Sequence, residues 1–243
     1  MRIATWNLNN RVGKVRFRPE AADAAVALDV DVLVFTEFFP QQHEGQFRAI
    51  LANSGWSEQF MSAQANEIAN RVLVASRLPI APLPIDLPTF DQQFPANLAA
   101  VSLPSLGIAV VGVRVPAYST QQAPLLLQAW EWLEMASAAL KGSPAVLLGD
   151  LNVSTKSSAS RGGDHFRRIL ASGWHRATPS GGATFFGHNG QSSEIDHVLA
   201  TDHCVLTDAK IIQSAGGFTL CGPSSAISDH AALVAQVELR QEP

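Results

Sequence analysis

Residues 97–116 read NLAAVSLPSLGIAVVGVRVP. Two apolar, partly β-branched runs, 97–103 and 107–115, flank Pro104, Ser105 and Leu106. So short a connection leaves no room for a crossover helix, so the two runs read as neighbouring antiparallel strands. The run at 71–76 has the same character. Towards the N-terminus, a strand is expected over 2–8, stopping at the turn-prone Asn7-Leu8-Asn9-Asn10. Pro19 then opens a helix with Ala21, Ala25 and Leu28 on one face. A buried strand, Val32-Leu33-Val34-Phe35, ends at Thr36-Glu37, and a helix over 41–53 turns Phe47, Ile50 and Leu51 inward. Towards the C-terminus, Leu126, Trp130, Leu133 and Leu140 mark a helix over 124–140. Ala145-Val146-Leu147-Leu148 is a buried strand ending at Gly149-Asp150. A helix over 166–171 and strands over 193–200, 205–212 and 231–239 complete the chain. This order predicts an α/β fold: a four-layered sandwich of two packed, mostly antiparallel β-sheets flanked by helices. A doubly wound parallel sheet fits less well, because too many strands follow one another through short turns. No repeat, low-complexity linker or composition break appears, so 1–243 reads as a single domain.

The chain has 243 residues, 47% of them hydrophobic, enough for a full core without disulfides. Cys204 and Cys221 fit no metal or disulfide spacing and read as buried, reduced small hydrophobes. Trp56, Trp130, Trp132 and Trp174 read as core. The N-terminal segment lacks the apolar core of a signal peptide, and no stretch is long enough to span a bilayer. The expectation is a cytoplasmic protein without an obligate protein partner. A formal net charge of -4 argues against a protein that merely coats DNA. It does not exclude a nuclease, since a metal can supply positive charge at the phosphate.

The chemistry lies where the strands end. Five apolar runs finish in, or begin from, a short polar signature: Trp6-Asn7-Leu8-Asn9, Phe35-Thr36-Glu37, Gly149-Asp150-Leu151-Asn152, Glu194-Ile195-Asp196-His197 and Ser228-Asp229-His230. Alone, Asp150 after Gly149 is a turn former, and Ser228-Asp229-His230 is a cap. Together they suggest convergence, because carboxylates at the edge of a core are costly unless paired or bound to a cation. Oxygen donors with no cysteine and few histidines suit a hard cation such as Mg²⁺ or Mn²⁺. A cation beside a carboxylate base and a histidine suits hydrolysis of phosphate esters. His197 follows Asp196 and should face the other side of its strand. His43, His165, His175, His188 and His203 read as surface or otherwise satisfied polar residues.

These five signatures, in this order, resemble the endonuclease/exonuclease/phosphatase superfamily, and Val72-Leu73-Val74-Ala75-Ser76-Arg77-Leu78-Pro79-Ile80 resembles one of its internal segments. The resemblance runs from Ile3 to about Val237. It implies that Glu37, Asn7 and Asp229 hold Mg²⁺ or Mn²⁺, and that Asp150 orients or deprotonates the attacking water. It implies that Asn152 assists at the scissile phosphate, that His230 binds a phosphoryl oxygen, and that Asp196 holds His230. Arg114, in Val113-Arg114-Val115-Pro116, stands where many members carry Tyr or His, and is expected to contact phosphate. Asn9 stands where repair nucleases often carry Asp. Asn9, Arg11, Arg77, Phe185 and Phe186 are the expected substrate-binding residues. Basic clusters, Arg11, Lys14, Arg16 and Arg18 and then Lys156, Arg161, Arg167 and Arg168, follow two of the signatures and favour a polyanion near the cleft. A nuclease acting on DNA or RNA is therefore the first expectation. A phosphatase or phosphodiesterase of a small or lipid substrate is the second, and a non-catalytic scaffold the third.

Overall fold

The computed structural model of the chain describes residues 1–10, 18–67, 69–88, 93–118, 120–222 and 226–241. The strands in chain order are β1 (Arg2–Asn7), β2 (Val32–Phe38), β3 (Glu58–Met61), β4 (Arg71–Ser76), β5 (Ala81–Pro82), β6 (Leu98–Leu103), β7 (Ile108–Arg114) and β8 (Ala145–Asp150). They continue as β9 (Trp174–Arg176), β10 (Phe185–Phe186), β11 (Ser192–Ser193), β12 (Asp196–Thr201), β13 (Cys204–Ile212), β14 (Ser214–Ala215), β15 (Phe218–Thr219) and β16 (Ala232–Leu239). The helices are α1 (Ala21–Val26), α2 (Glu44–Asn53), α3 (Gln93–Ala96), α4 (Ala123–Leu140) and α5 (Gly163–Ala171).

Two six-stranded sheets form, in the orders β13-β16-β1-β2-β4-β3 and β5-β6-β7-β8-β12-β9. Among the described residues, only β1–β2 and β7–β8 are parallel pairs within them. In each of these a helix, α1 or α4, lies in the connection, which gives the chain the length a parallel crossover requires. The four-layered α/β sandwich expected from the sequence is the fold observed. Ile3, Val34, Val74, Val110, Leu148 and Val198 fill the space between the sheets. Ala25, Phe35, Phe47 and Trp56 pack between the first sheet and α1 and α2. Trp130, Leu133, Leu147, Phe166 and Leu199 pack between the second sheet and α4 and α5. Both cysteines are free and buried.

The alternation of a strand explains where polar side chains enter this core. Inward positions read Ile3, Thr5, Asn7 on β1; Val110, Gly112, Arg114 on β7; Val146, Leu148, Asp150 on β8; and Ala200, Val198, Asp196 on β12. Each series starts from an apolar residue and is polar at the other end. Parallel register sets Arg114 beside Asp150, and antiparallel register sets Asp196 on its other side. The polar ends of β7, β8 and β12 thus form one row.

Two backbone features sharpen that end of the sandwich. Gly149 has φ 151°, and a Cβ there would lie 1.8 Å from the Val113 carbonyl oxygen, so no other residue fits before Asp150. On β2 the register with β4 slips between Phe35 and Phe38, an extra residue that forms a bulge. Glu37, at φ 51°, occupies it. The slip returns Phe38 to the helix-facing side with Phe35 and takes Glu37 out of the alternation.

The structure departs from the expected elements in small ways. The strand expected over 193–200 is two, because β11 pairs with β10 while β12 pairs with β8 and β9. The second helix starts at Glu44, three residues later than expected. Among the described residues, no helix is long and apolar enough to cross a membrane.

Candidate active site

Asp150 lies at the centre, 1% exposed. Its Oδ2 accepts from Asn7 Nδ2 at 2.8 Å and from Asn152 Nδ2 at 3.0 Å. Its Oδ1 accepts from the Asn152 backbone N–H at 2.9 Å. Asn152 stands in the left-handed region, φ 50°, and also donates to the Val115 carbonyl at 2.8 Å. A non-glycine residue held there costs about 1–3 kcal/mol, and here the fork of hydrogen bonds to Asp150 and Val115 holds it. Burial, and then the Asp196 carboxylate opposite, push the Asp150 carboxyl up to about 7, while His230 and Arg114 pull it down. That value lies where a general base works best near neutral pH.

Asp196, fully buried, accepts from His230 Nδ1 at 2.8 Å. Burial alone opposes charge on the imidazole, but Asp196, with Asp150 and Asp229 behind it, carries the His230 pKa up to about 10. The ring is therefore cationic at neutral pH. Its other nitrogen, Nε2, points towards Asp229 Oδ1, 3.9 Å away. Thr184 supports the pair, its Oγ1 accepting from the Ile195 and Asp196 backbone N–H groups at 3.0 and 3.1 Å. Ser228 ties two signatures of the first sheet together: its hydroxyl donates to the Asn7 carbonyl at 2.7 Å and accepts from the His230 N–H at 3.1 Å. Trp6 Nε1 donates to the His230 carbonyl at 2.9 Å.

Glu37 is held at both oxygens. Arg114 Nη2 donates to Oε1 at 2.8 Å, and Asn10 Nδ2 donates to Oε2 at 3.0 Å. Asn9 lines the cleft, and its N–H donates to Asn7 Oδ1 at 2.8 Å. The cleft has a volume of about 370 Å³, and its walls include Glu37, Asp150, Asn152, Asp229, His230 and Phe185. The Phe185 ring sits 5.1 Å from the His230 ring, tilted by 57°. The hairpin that carries Phe185 is fixed by the Phe186 N–H donating to the Asp229 carbonyl at 2.8 Å.

The structure therefore brings together Asn7, Asn9, Glu37, Arg114, Asp150, Asn152, Phe185, Asp196, Asp229 and His230. Two expectations fall elsewhere. Arg77 does not join the cleft: β4 runs antiparallel to β2 with Ser76 beside Val32, so the chain leaves the sheet at the end opposite Glu37. There Arg77 pairs with Asp29 at 2.9 Å and lies 3.9 Å over the Trp56 ring, a packing role. Phe186 packs against the core between the sheets, because it alternates with Phe185. Arg11 lies outside the described residues. Arg114 faces Glu37 and is not part of the cleft wall, so its first partner is a carboxylate. Of the second basic cluster, Arg167 and Arg168 are occupied by Asp164 and Glu134. Sequence reasoning missed Asn10, Thr184 and Ser228 as supports. Ser228 could have been read from its place in Ser228-Asp229-His230; Thr184 carries no local signal.

Comparison with solved structures finds the same fold in several proteins. An AP endonuclease from Archaeoglobus fulgidus superposes with a TM-score of 0.75 at 21% identity, covering 98% of this chain and 100% of that one. A 3'-5' exonuclease from Neisseria meningitidis gives 0.74 at 22% identity, with 97% and 99% covered. A Neisseria 3' phosphatase bound to a product DNA hairpin gives 0.74 at 22% identity, with 98% and 99% covered. Among proteins of curated function, no significant sequence match is found. A sequence profile, however, matches residues 4–230, a span that takes in every signature from Asn7 to His230. The chain belongs to the Endonuclease/Exonuclease/phosphatase family.

Proposed function

We propose that the protein hydrolyses phosphodiester bonds in nucleic acid, using a divalent cation, Mg²⁺ or Mn²⁺, held by Glu37, Asn7 and Asp229. The observation that carries this reading is the charge balance of the cleft. Four carboxylates, Glu37, Asp150, Asp196 and Asp229, gather around two cationic groups, Arg114 and His230. Such an excess repels a phosphate unless a cation takes part. The donors suit a hard ion: they are carboxylate oxygens and the Asn7 amide oxygen, which keeps a lone pair beyond its bond to Asn9. Asp196 Oδ1 is buried without a hydrogen-bond partner, a further sign of unbalanced negative charge. When bound, the ion neutralises phosphate oxygens and stabilises the charge that grows in the transition state.

The residues divide the remaining work. Asp150, held by Asn7 and Asn152, takes a proton from the attacking water as its oxygen bonds to phosphorus. His230, charged and oriented by Asp196, donates from Nε2 to a phosphoryl oxygen. The bond from phosphorus to the leaving oxygen then breaks, and that oxygen keeps the bonding pair and takes a proton from solvent, while Asp150 releases the proton it took from the water. Phe185 offers an aromatic face at the cleft for a base or sugar. The nuclease and 3' phosphatase descriptions of the superposed structures support a nucleic-acid substrate.

The test pairs substrates with a metal control. The protein and Glu37→Gln are incubated with Mg²⁺ or Mn²⁺, with and without chelator, on single-stranded DNA, abasic duplex, RNA, a 3'-phosphorylated oligonucleotide and bis-p-nitrophenyl phosphate. Strand cleavage abolished by chelator and by Glu37→Gln is expected. Turnover of the small diester alone would move the substrate to a small molecule or lipid. Chelator-resistant turnover would defeat the metal reading, and no turnover at all would favour a scaffold.

A further inference from the structure

Arg114 stands behind Glu37 at the edge of the site rather than reaching into the cleft. Its side chain is 15% exposed and that of Glu37 16%, and they meet at 2.8 Å. Its backbone lies beside Asp150 in the parallel ladder, and its charge also acts on that carboxyl. One permanent cation therefore sits against the two carboxylates expected to serve the metal and the water. We propose that Arg114 holds the cation's charge position on Glu37, so that a divalent ion binds weakly until a substrate phosphate engages the guanidinium in exchange. The inference rests on the metal reading above.

The physical chain is short. A guanidinium cannot lose its proton to make way, so an ion arriving at Glu37 meets a fixed positive charge within a few ångströms. In a half-buried setting that repulsion is worth a decade or more of affinity. A phosphate matches the guanidinium fork and relieves it. Arg114 Nε is buried and has no partner, so the fork keeps a donor beyond the one on Glu37. With phosphate on Arg114, Glu37 is free to serve the ion. Ion and phosphate then bind with positive coupling, and the coupling is reciprocal.

Isothermal titration with Mg²⁺, without nucleic acid, tests this on the wild type, Arg114→Gln, Arg114→Lys and Glu37→Gln. Arg114→Gln is expected to bind Mg²⁺ roughly tenfold tighter than the wild type. Arg114→Lys, which keeps the charge, should stay near the wild type, and Glu37→Gln should lose binding. Inorganic phosphate should tighten Mg²⁺ binding in the wild type and much less in Arg114→Gln. A purely structural arginine would not give tighter binding when removed. Should Arg114→Gln lose its fold by circular dichroism, Arg114→Met, which keeps the buried stem, carries the same expectation. Unchanged or weaker binding in the neutral variant, with binding still lost in Glu37→Gln, overturns the inference alone. No Mg²⁺ binding by any of the proteins overturns both it and the metal reading.

Discussion

His230 and His197 are sealed from solvent almost equally, at 5% and 1% exposure, yet they hold opposite charge states. His230 bonds Asp196 and its pKa is carried up to about 10. His197 is the next residue after Asp196 but faces the other side of the second sheet, under α5. Its Nε2 meets only the Val153 carbonyl, at 2.7 Å, and its ring packs 4.8 Å from Phe166. There burial holds its pKa down to about 4, and the ring is neutral. Burial alone therefore does not mark a functional histidine. The buried countercharge does, and one step along a strand decides which side chain receives it.

The strongest way to break this contrast is to remove the countercharge. Asp196→Asn should leave the shape of the site intact, return His230 towards neutrality, and lower kcat by about 10²–10⁴-fold. NMR titration of the His230 ring would report the fall in its pKa directly. A ring that stayed charged at neutral pH would show that Asp150 and Asp229 suffice. On the other face of the same strand, His197→Ala should destabilise the protein by roughly 2–4 kcal/mol, through the cavity beside Phe166 and the lost bond to Val153. Its kcat should stay within about threefold of the wild type, because its side chain lies on the opposite face of the strand from the site. Urea unfolding and steady-state kinetics separate the two effects.

Acid sharpens the comparison further. Below about pH 6.5 the unfolded chain protonates His197 while the folded protein refuses until about pH 4. The His197 contribution is thus complete above pH 6.5 and falls as the pH drops towards 4, by up to about 3 kcal/mol. His230 has the opposite sign: its contribution is complete below about 6.5 and is lost as the pH rises through about 10. Asp150, raised to about 7, also opposes His197, since its contribution declines from about pH 3.8 towards 7. The measurement is therefore the difference in stability between wild type and His197→Gln from pH 4 to 7. It should slope by the His197 amount; a flat difference would mean that the folded protein accepts the proton. The smallest effect is expected at the cleft lip, where Phe185→Leu removes the ring against His230. It should raise KM for a nucleic acid by about five- to tenfold, with kcat little changed, if a base or sugar stacks there.

The contrast also explains what was legible in the sequence. Asp196, Asp150, Asn7 and Arg114 follow from period-two alternation, because each continues an inward-facing series to the strand's end. The same rule put His197 on the opposite side. The layer order was legible because short turns force antiparallel pairing and the two apolar helices mark the parallel crossovers. Arg77 was misplaced because local sequence does not say which end of a sandwich a strand end occupies. That depends on β4 running antiparallel to β2. The bulge at Glu37 and the Arg114–Glu37 pair, 77 residues apart, were not legible either, since both are products of tertiary register. The edge strands β3 and β9 were missed because they are short and largely polar, with little alternation to read.

The most direct test of the central claim is the rate of phosphodiester hydrolysis by the wild type and Asp150→Asn, at saturating Mg²⁺ or Mn²⁺, followed across neutral pH. The account predicts a wild-type kcat/KM that rises with pH as Asp150 ionises. It also predicts a loss of about 10²–10⁴-fold in Asp150→Asn, with fold and metal affinity retained. An Asp150→Asn protein that turns over at nearly the wild-type rate would contradict it, and would place the base outside this cleft.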